Sequence, residues 1–332
     1  MVGLFLKTEE FRKAFQRLWF NLYVQVFNFG VVSSIVFGVS RLLVELGVLP
    51  SSLADGLVAS TSVPMTVNMV FILTKTAGGN EAAAVFNAAF GNMVGVFLSP
   101  LLILAYLGVR GGVDIGTVFY KLALRVLLPL AVGQAAQKMA PETLQRVVQQ
   151  HGQLIKKLQQ YSIIFIVYTV FCRTFQSDVS AGVRDIVLMI VFELILLCSL
   201  MALAWFTLGL VFRDQPGLRV MGLFGCTHKT VALGVPLIGA IYENSPDVGL
   251  FTLPLLIWHP MQLLVGSLLV PRLLEYGERE KERLGGTNNN NNDSSSSVEA
   301  STTSRELPDA NVCISETEQQ QKQVVNVEEE AA

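Results

Sequence analysis

The sequence predicts an all-α, multi-pass membrane protein with about eight transmembrane helices. Its 332 residues are 52% hydrophobic, and the mean hydropathy of +0.50 is far above that of typical soluble domains. The apolar residues fall in long runs, and a helix needs ~20 of them to cross a hydrocarbon core of ~30 Å. The sequence lacks the short alternating segments that are typical of an outer-membrane barrel. Helical spans are therefore the expected elements.

The predicted spans follow one another through residues 18–272, which we take as the transmembrane domain. They lie near 18–40, 54–75, 82–108, 115–136, 160–176, 185–212, 218–242 and 247–271. Residues 1–17 before them form a short segment whose apolar run is too short for a secretory signal peptide. We therefore expect the first span to insert as its own signal anchor.

The Lys and Arg residues of the connections predict the orientation, because cytoplasmic loops carry an excess of them. If the N-terminus lies inside, twelve fall on the cytoplasmic side: Lys7, Arg12, Lys13, Arg17, Lys75, Lys138, Arg146, Lys156, Lys157, Arg213, Arg219 and Arg272. Four lie on the other side: Arg41, Arg110, Arg173 and Arg184. Both termini are thus predicted to be cytoplasmic. The chain end shows no retention motif, so the plasma membrane and the Golgi both stay open as locations.

The composition changes abruptly after residue 272. Residues 273–332 hold 13 of the 26 acidic residues but 5 of the 24 basic ones, together with a run of asparagines and a run of serines. Such a segment has too few apolar residues to form a core. We expect a disordered, acidic, cytoplasmic tail.

Several function classes are excluded by the same composition. The apolar body has no basic face with interleaved aromatics, so nucleic-acid binding is not expected. The four cysteines show no CxxC spacing or His/Cys cluster, and we expect no metal site, disulfide framework or cofactor. The sequence also offers no nucleophile-base cluster, so an enzyme is not expected.

Two predicted spans are interrupted by helix breakers and polar residues. Residues 59–68 of the second span read ASTSVPMTVN, and residues 225–236 of the seventh read GCTHKTVALGVP. Proline frees a backbone carbonyl that lipid cannot satisfy, so such backbone needs surrounding protein or a wet cavity. A buried proline kink is one explanation. Two breaks in corresponding spans favour another, the substrate site of a secondary transporter.

Lys229 is the sharpest single signal within these breaks. A charge near the bilayer centre costs ~2.5–3.5 kcal/mol on insertion scales, so it should face a cavity or a partner. Glu193 in the sixth span is a candidate counter-ion for Lys229 or for Arg125 in the fourth. His228 either titrates or is a neutral ring that bonds to the backbone.

Three ordered motifs carry a family resemblance. They are ILTKTAGGNEAAA at residues 72–84, CTHKT at 226–230 with LGVP at 233–236, and HPMQ at 259–262 before GSLLVP at 266–271. The body resembles the bile acid:sodium symporter superfamily, specifically the member-7 branch of solute carrier family 10 and its fungal calcium-homeostasis relatives. The tail shows no resemblance.

The resemblance implies a fold of ten spans in two inverted five-span repeats. A core domain with two crossing broken helices would move against a panel domain. This chain has eight predicted spans, and its residues 3–10 resemble the connection after the family's second span. The expectation is therefore a ten-span fold without its first two spans, which favours an incomplete gene model.

The resemblance also bears on ion coupling. Sodium-dependent members have a carboxylate and an amide about one turn apart where this chain has Gly225 and Lys229. Sodium is therefore a doubtful coupling ion, and the Lys229 ammonium could replace a bound cation and attract an anionic substrate.

The leading hypothesis is an alternating-access secondary transporter of a small organic anion. The resemblance adds a role in cellular calcium homeostasis. The predicted lining residues are Ser62, Thr66, Asn68, Asn87, Thr227, His228, Lys229 and Thr230. The alternative is a non-transporting membrane regulator that limits calcium influx through partner channels or pumps. Its partner surfaces would be the acidic tail and the basic connection 137–159.

Overall fold

A computed structural model describes residues 17–108, 182–242, 245 and 247–292, together with scattered positions between 116 and 172. Contacts divide the chain into two compact units, residues 1–285 and 286–332. The elements discussed below belong to the first unit, apart from the last turns of the final helix. Every regular element in the described ranges is helical.

The helices are numbered in chain order. They are α1 (Leu18–Gln25), a π-helical segment (Val26–Val31), α2 (Val32–Glu45), α3 (Ser51–Thr61), α4 (Val67–Thr76), α5 (Glu81–Leu107), α6 (Val183–Val211), α7 (Pro216–Thr227), α8 (Val231–Ile241) and α9 (Val248–Asn292). The first span is thus α1, the π-helical segment and α2 in continuous succession.

Five helical stretches in the described residues are long and apolar enough to cross a membrane. They are Leu18–Glu45, Glu81–Leu107, Val183–Val211, Pro216–Ile241 and Val248–Glu280. These stretches coincide with the first, third, sixth, seventh and eighth predicted spans, and they confirm a helical multi-pass membrane protein. Most residues of the predicted spans at 115–136 and 160–176 lie outside the described part of the chain.

Both predicted helix breaks are present. The second predicted span consists of α3 and α4 with residues 62–66 between them, and the seventh consists of α7 and α8 with residues 228–230 between them. Thr66, His228 and Thr230 have extended backbone with ψ angles of 132°, 142° and 127°. The chain therefore runs as a strand-like segment through the middle of each broken span.

Helix α9 is longer than the eighth predicted span. We expect the membrane domain to end at residue 272, and α9 continues without interruption to Asn292. Arg279 lies 3.4 Å from Glu275, and Arg283 lies 3.4 Å from Glu280, at helical spacings that stabilise a solvated helix. The charged composition after residue 272 therefore forms helix at first, and residues 293–332 lie outside the described part.

Helix α3 packs closely on α9 at Gly56. A Cβ atom added there would lie 2.8 Å from the carbonyl oxygen of Phe251 and 2.9 Å from Cγ of Pro254. Backbone at this distance cannot be displaced by a rotamer change, so only glycine fits.

We expect Gly56→Ala to destabilise the fold by about 1–3 kcal/mol, the usual cost of overpacking. Thermal unfolding in detergent, followed by near-ultraviolet circular dichroism, measures the effect. Gly38→Ala is the matched control, because nothing lies within 4 Å of an added Cβ in α2. Equal midpoint temperatures of thermal unfolding for the two variants would contradict the close packing of α3 on α9.

Candidate functional site

The two broken spans cross at their unwound segments. The backbone N–H of Thr230 donates to the carbonyl oxygen of Pro64 at 2.9 Å. The residues around this contact have no exposed surface: Ser62, Val63, Met65, Thr227, His228 and Lys229. The crossing is thus a buried, directly hydrogen-bonded contact between two stretches of non-helical backbone.

Hydroxyl groups near the end of α3 donate to backbone carbonyls. The hydroxyl of Thr61 donates to the Leu57 carbonyl at 3.0 Å, and that of Ser62 donates to the Val58 carbonyl at 2.8 Å. From the first span, the hydroxyl of Ser33 donates to the Thr61 carbonyl at 2.9 Å. The hydroxyls of Thr61 and Ser62 are therefore satisfied within their own helix, and Ser33 supplies a donor to the Thr61 carbonyl at the helix end, where lipid offers none.

Helix α5 supports the first break from its other side. The side-chain amide of Asn92 donates to the carbonyl oxygens of Met65 and Ala88, both at 2.8 Å. One turn further along, a Cβ on Gly95 would lie 2.7 Å from Cγ of Pro64. The absence of a side chain at Gly95 lets α5 approach the unwound backbone, and the amide of Asn92 donates a hydrogen bond to it.

A glutamine of α9 holds the second break. Oε1 of Gln262 accepts from the Lys229 backbone N–H at 2.7 Å, and Nε2 donates to the Lys229 carbonyl at 2.8 Å. Gln262 is fully buried, and Nδ1 of His259 lies 2.9 Å from its Nε2. The glutamine amide therefore replaces both hydrogen bonds that the peptide groups of Lys229 would have made in a continuous helix.

The Lys229 ammonium uses its three protons on three oxygen atoms. Nζ donates to the carbonyl oxygen of Asn28 at 2.8 Å, to Oδ1 of Asn28 at 3.0 Å and to the Val63 carbonyl at 3.1 Å. All three acceptors are neutral, and no ion pair of Lys229 occurs in the described part of the chain. Nζ of Lys229 is thus surrounded by neutral protein dipoles at the centre of the crossing.

The π-helical segment explains why Asn28 can serve this charge. A π-turn interrupts the regular hydrogen-bond ladder of an α-helix, and such turns occur at functional sites. Asn28 lies inside the segment, so its carbonyl can turn to Lys229. Its Nδ2 donates to the carbonyls of Gly225 and Cys226, at 3.1 and 3.2 Å, which belong to the last turn of α7.

A second polar cluster lies around Asn87 of α5. Nδ2 of Asn87 donates to Oδ1 of Asn21 at 2.8 Å, and Nε2 of Gln25 donates to the Asn87 carbonyl at 3.1 Å. Asn21, Gln25 and Asn28 follow one another at spacings of four and three residues and are all buried. They form a polar stripe along one face of the first span that ends at Lys229.

Most of the predicted lining residues meet at the crossing. Those at the breaks are Ser62, Thr66, Thr227, His228, Lys229 and Thr230, while Asn87 lies in the neighbouring polar cluster. The hydroxyl of Thr227 donates to the Leu223 carbonyl at 2.8 Å, so it serves its own helix as that of Ser62 does. Nε2 of His228 is buried and has no partner among the described residues.

Asn68 lies away from this group. It sits in the first turn of α4 on the exposed side of the helix. The residues that sequence reasoning missed are Asn28 and Gln262. An asparagine between Phe27 and Phe29 in an apolar span was the available signal for the first of them.

The predicted ion pair of Glu193 with Lys229 is wrong. Lys229 bonds to Asn28 and Val63, and both carboxylate oxygens of Glu193 are buried without a hydrogen-bond partner in the described part of the chain. Glu193 lies on the buried face of α6 with Met189 and Leu197. The other suggested partner, Arg125, lies outside the described residues.

Replacing Asn28 by leucine should reduce transport more than tenfold, because Lys229 loses the Oδ1 acceptor and the carbonyls of Gly225 and Cys226 lose their Nδ2 donor. Buried groups left unpaired cost about 1–3 kcal/mol each, more for charged groups. Uptake into proteoliposomes measures the effect, with Asn68→Leu as the matched control on the exposed side of α4. Comparable activity of the two variants would contradict the assigned role of Asn28.

Comparison with known families decides what kind of membrane protein this architecture belongs to. The model of the SBF-like CPA transporter family matches residues 1–275. The chain belongs to this transporter family. The match covers α1 to α8 and the membrane part of α9. Both broken spans of this SBF-like transporter therefore lie within the matched residues.

Named relatives agree with the family assignment. The chain is 32% identical over 277 residues to sodium/bile acid cotransporter 7 of Rattus norvegicus, covering 82% of this chain and 79% of the relative. It is 34% identical over 285 residues to the Xenopus tropicalis protein of the same name, with coverages of 82% and 78%. For the Danio rerio protein the identity is 33% over 276 residues, with coverages of 82% and 80%.

Proposed function

We propose that this protein is a secondary transporter that carries a small organic anion by alternating access, with Lys229 as the fixed positive charge of the site. Membership in a transporter family supports the general activity. The observation that carries the finer proposal is the fully buried Lys229 ammonium, bonded to neutral oxygens where the two broken spans cross.

An anion is favoured by the electrostatics of the crossing. The positive charge of Lys229 has no carboxylate partner in the described residues, so an incoming anion would supply one. The N-terminal ends of α4 and α8 contribute positive potential at the crossing, and the C-terminal ends of α3 and α7 oppose it, so the charge of Lys229 carries the preference for an anion. The conformation seen here encloses the ammonium completely, so the anion would reach it in another state of the alternating-access cycle.

The same ammonium bears on sodium coupling, which the names of the relatives mention. Carbonyl and amide oxygens such as those around Lys229 are also ligands for hard cations. With Nζ among them, this position already holds a positive charge that is covalently attached to the chain. We therefore propose that transport does not require sodium at the crossing.

The test is uptake by purified protein in proteoliposomes, with radiolabelled taurocholate and estrone 3-sulfate as anionic probes. Saturable uptake of either probe with choline in place of sodium supports the proposal. Uptake that disappears without a sodium gradient would contradict the sodium-independent site. Absence of saturable uptake of both probes would contradict the organic-anion substrate class.

A role in cellular calcium homeostasis is the second candidate function, acting on partner channels or pumps. The charged turns of α9 beyond the membrane, with the pairs Glu275–Arg279 and Glu280–Arg283, offer an ordered surface for a protein partner. Expression of a flux-dead Lys229 variant in cells lacking the protein separates the two functions. If that variant restores normal calcium influx, the protein acts as a regulator. If calcium influx stays abnormal, the role in calcium homeostasis depends on transport.

A further inference from the structure

A groove of about 400 Å³ lies between α6 and α9, with Leu223 of α7 contributing to its wall. Its other walls include Met201, Trp205, Val265, Leu269 and Tyr276. None of the residues that line it takes part in the crossing or in the polar stripe of the first span. A volume of this size is within the range of small-molecule sites, roughly 300–1,000 Å³.

The groove opens toward the hydrocarbon of the bilayer. Cys198 and Ala202 on its α6 wall are exposed, and large apolar side chains on the same helices face outward beside it. Examples are Phe206, 65% exposed, and Leu268, 69% exposed. An apolar recess that opens sideways into lipid fits a hydrocarbon chain rather than a solute from water.

One end of the groove is basic. Arg272 lines it and has no ion pair in the described residues. Arg219 lies beside this end, with its guanidinium 4.5 Å from the Trp205 ring centre and 5.0 Å from that of Tyr276. Its Nη1 donates to the Tyr276 hydroxyl, and its Nε is buried without an acceptor.

The acidic residues of the neighbouring turns do not neutralise this end. Glu275 is paired with Arg279, and Glu280 is paired with Arg283. Asp214, in the turn between α6 and α7, is exposed and is accompanied by Arg213. Glu278 is a further exposed acidic residue of these turns, so the two cations Arg219 and Arg272 still leave a net positive charge near the end of the groove.

This end also lies at the depth where a membrane meets water. The polar turn 212–215 follows α6 directly, and Trp205 and Tyr276 are residues of the type that marks the interface. These features match an anionic phospholipid. Its acyl chain would lie in the apolar part of the groove, and its phosphate would lie at the basic, aromatic end. Basic pockets between transmembrane helices are known to bind acidic head groups.

We propose that this groove binds one anionic phospholipid of the adjacent leaflet. An acyl chain lies between α6 and α9, and the phosphate contacts Arg272. The proposal is independent of the transported substrate, because it concerns a different surface of the molecule.

Tryptophan fluorescence tests the proposal, since Trp205 lies in the groove wall. The chain has three tryptophans. Trp19, 82% exposed, is replaced by phenylalanine, and Trp258 is fully buried and contributes a constant signal. Purified full-length protein in nanodiscs is titrated with phosphatidylglycerol or phosphatidylcholine that carries brominated acyl chains. We expect half-maximal quenching at a mole fraction at least about threefold lower for phosphatidylglycerol.

Variants of the groove make the result specific. Arg272→Gln should remove the threefold preference, and Arg272→Lys should keep it, because a phosphate accepts from either cation. Arg213→Gln, in the adjacent turn, is the matched charge control and should keep the preference. Ala202→Phe should weaken quenching by both lipids because the ring fills the groove.

Equal quenching by the two brominated lipids in the unmodified groove would overturn the proposal. A loss of preference in Arg213→Gln as large as that in Arg272→Gln would also overturn it, since general interfacial charge would then explain the effect. The measured quantity is the ratio of the mole fractions at which the two lipids give half-maximal quenching of the same protein. A uniform loss of folded protein does not alter this ratio.

Discussion

Replacing Lys229 by methionine is expected to abolish uptake in proteoliposomes while the protein still inserts. Methionine keeps much of the apolar stem but removes the charge that would bind an anion and the donor to Asn28 and Val63. A hydrogen bond between the anion and a charged donor is worth about 1.5–3 kcal/mol. Every ~1.4 kcal/mol is tenfold, so loss of this bond should weaken anion binding roughly 10- to 100-fold.

The matched control for Lys229→Met is Lys75→Met. The side chain of Lys75 is 61% exposed and lies 3.6 Å from Glu81, a surface pair that contributes little. Its uptake should equal that of the unmodified protein. Unchanged uptake by Lys229→Met, with normal expression, would contradict the placement of the transport site at the crossing.

The second large effect is expected for Gln262→Leu, which removes the amide that holds the second break. The N–H of Lys229 would then be buried and unpaired, and its carbonyl would keep only the contact with Nδ1 of His259 at 3.4 Å. A buried group left unpaired costs about 1–3 kcal/mol, so thermal stability and uptake should fall together. Thermal unfolding in detergent and proteoliposome uptake measure both effects.

Gln215→Leu is the control for this change, because Gln215 is exposed before α7 and its side chain caps no backbone group. It should behave as the unmodified protein does. A Gln262→Leu protein with unchanged unfolding and uptake would show that the break is stable without its amide partner.

The positions of the broken helices could be predicted because proline and glycine act locally. Pro64 within an apolar run, and Lys229 close to Pro236, mark backbone and charge that lipid cannot accommodate. These signals depend on a few adjacent residues, so no knowledge of the tertiary fold is needed. Both breaks lie where the sequence indicates them.

The partners of the break could not be predicted in the same way. Asn28 and Lys229 are 201 residues apart, and Gln262 is 33 residues from Lys229. The π-helical turn that frees the Asn28 carbonyl has no local sequence code, because it depends on tertiary contacts. The suggested ion pair with Glu193 failed for a related reason, since neutral oxygens solvate the ammonium instead.

Two other differences between the sequence-based predictions and the structure follow from helix geometry. Asn68 is four residues after Pro64, but α4 begins at Val67 and its first turn directs Asn68 outward. Beyond residue 272, charge density was interpreted as disorder, although Glu275–Arg279 has the spacing of a helical ion pair. The spacing of the charges indicates the helix after residue 272 better than the density of charges does.

The crossing has a mechanical consequence. Non-helical backbone usually exchanges its amide hydrogens quickly, yet the N–H groups of Lys229 and Thr230 are each bonded to a partner on another segment and are buried. Together with the ammonium, these bonds link the first span, both broken spans and α9. These unwound residues should therefore exchange as slowly as helix cores. A conformational change that lets an anion reach the ammonium would then move other elements away from Nζ, while the backbone bonds of Lys229 and Thr230 stay intact.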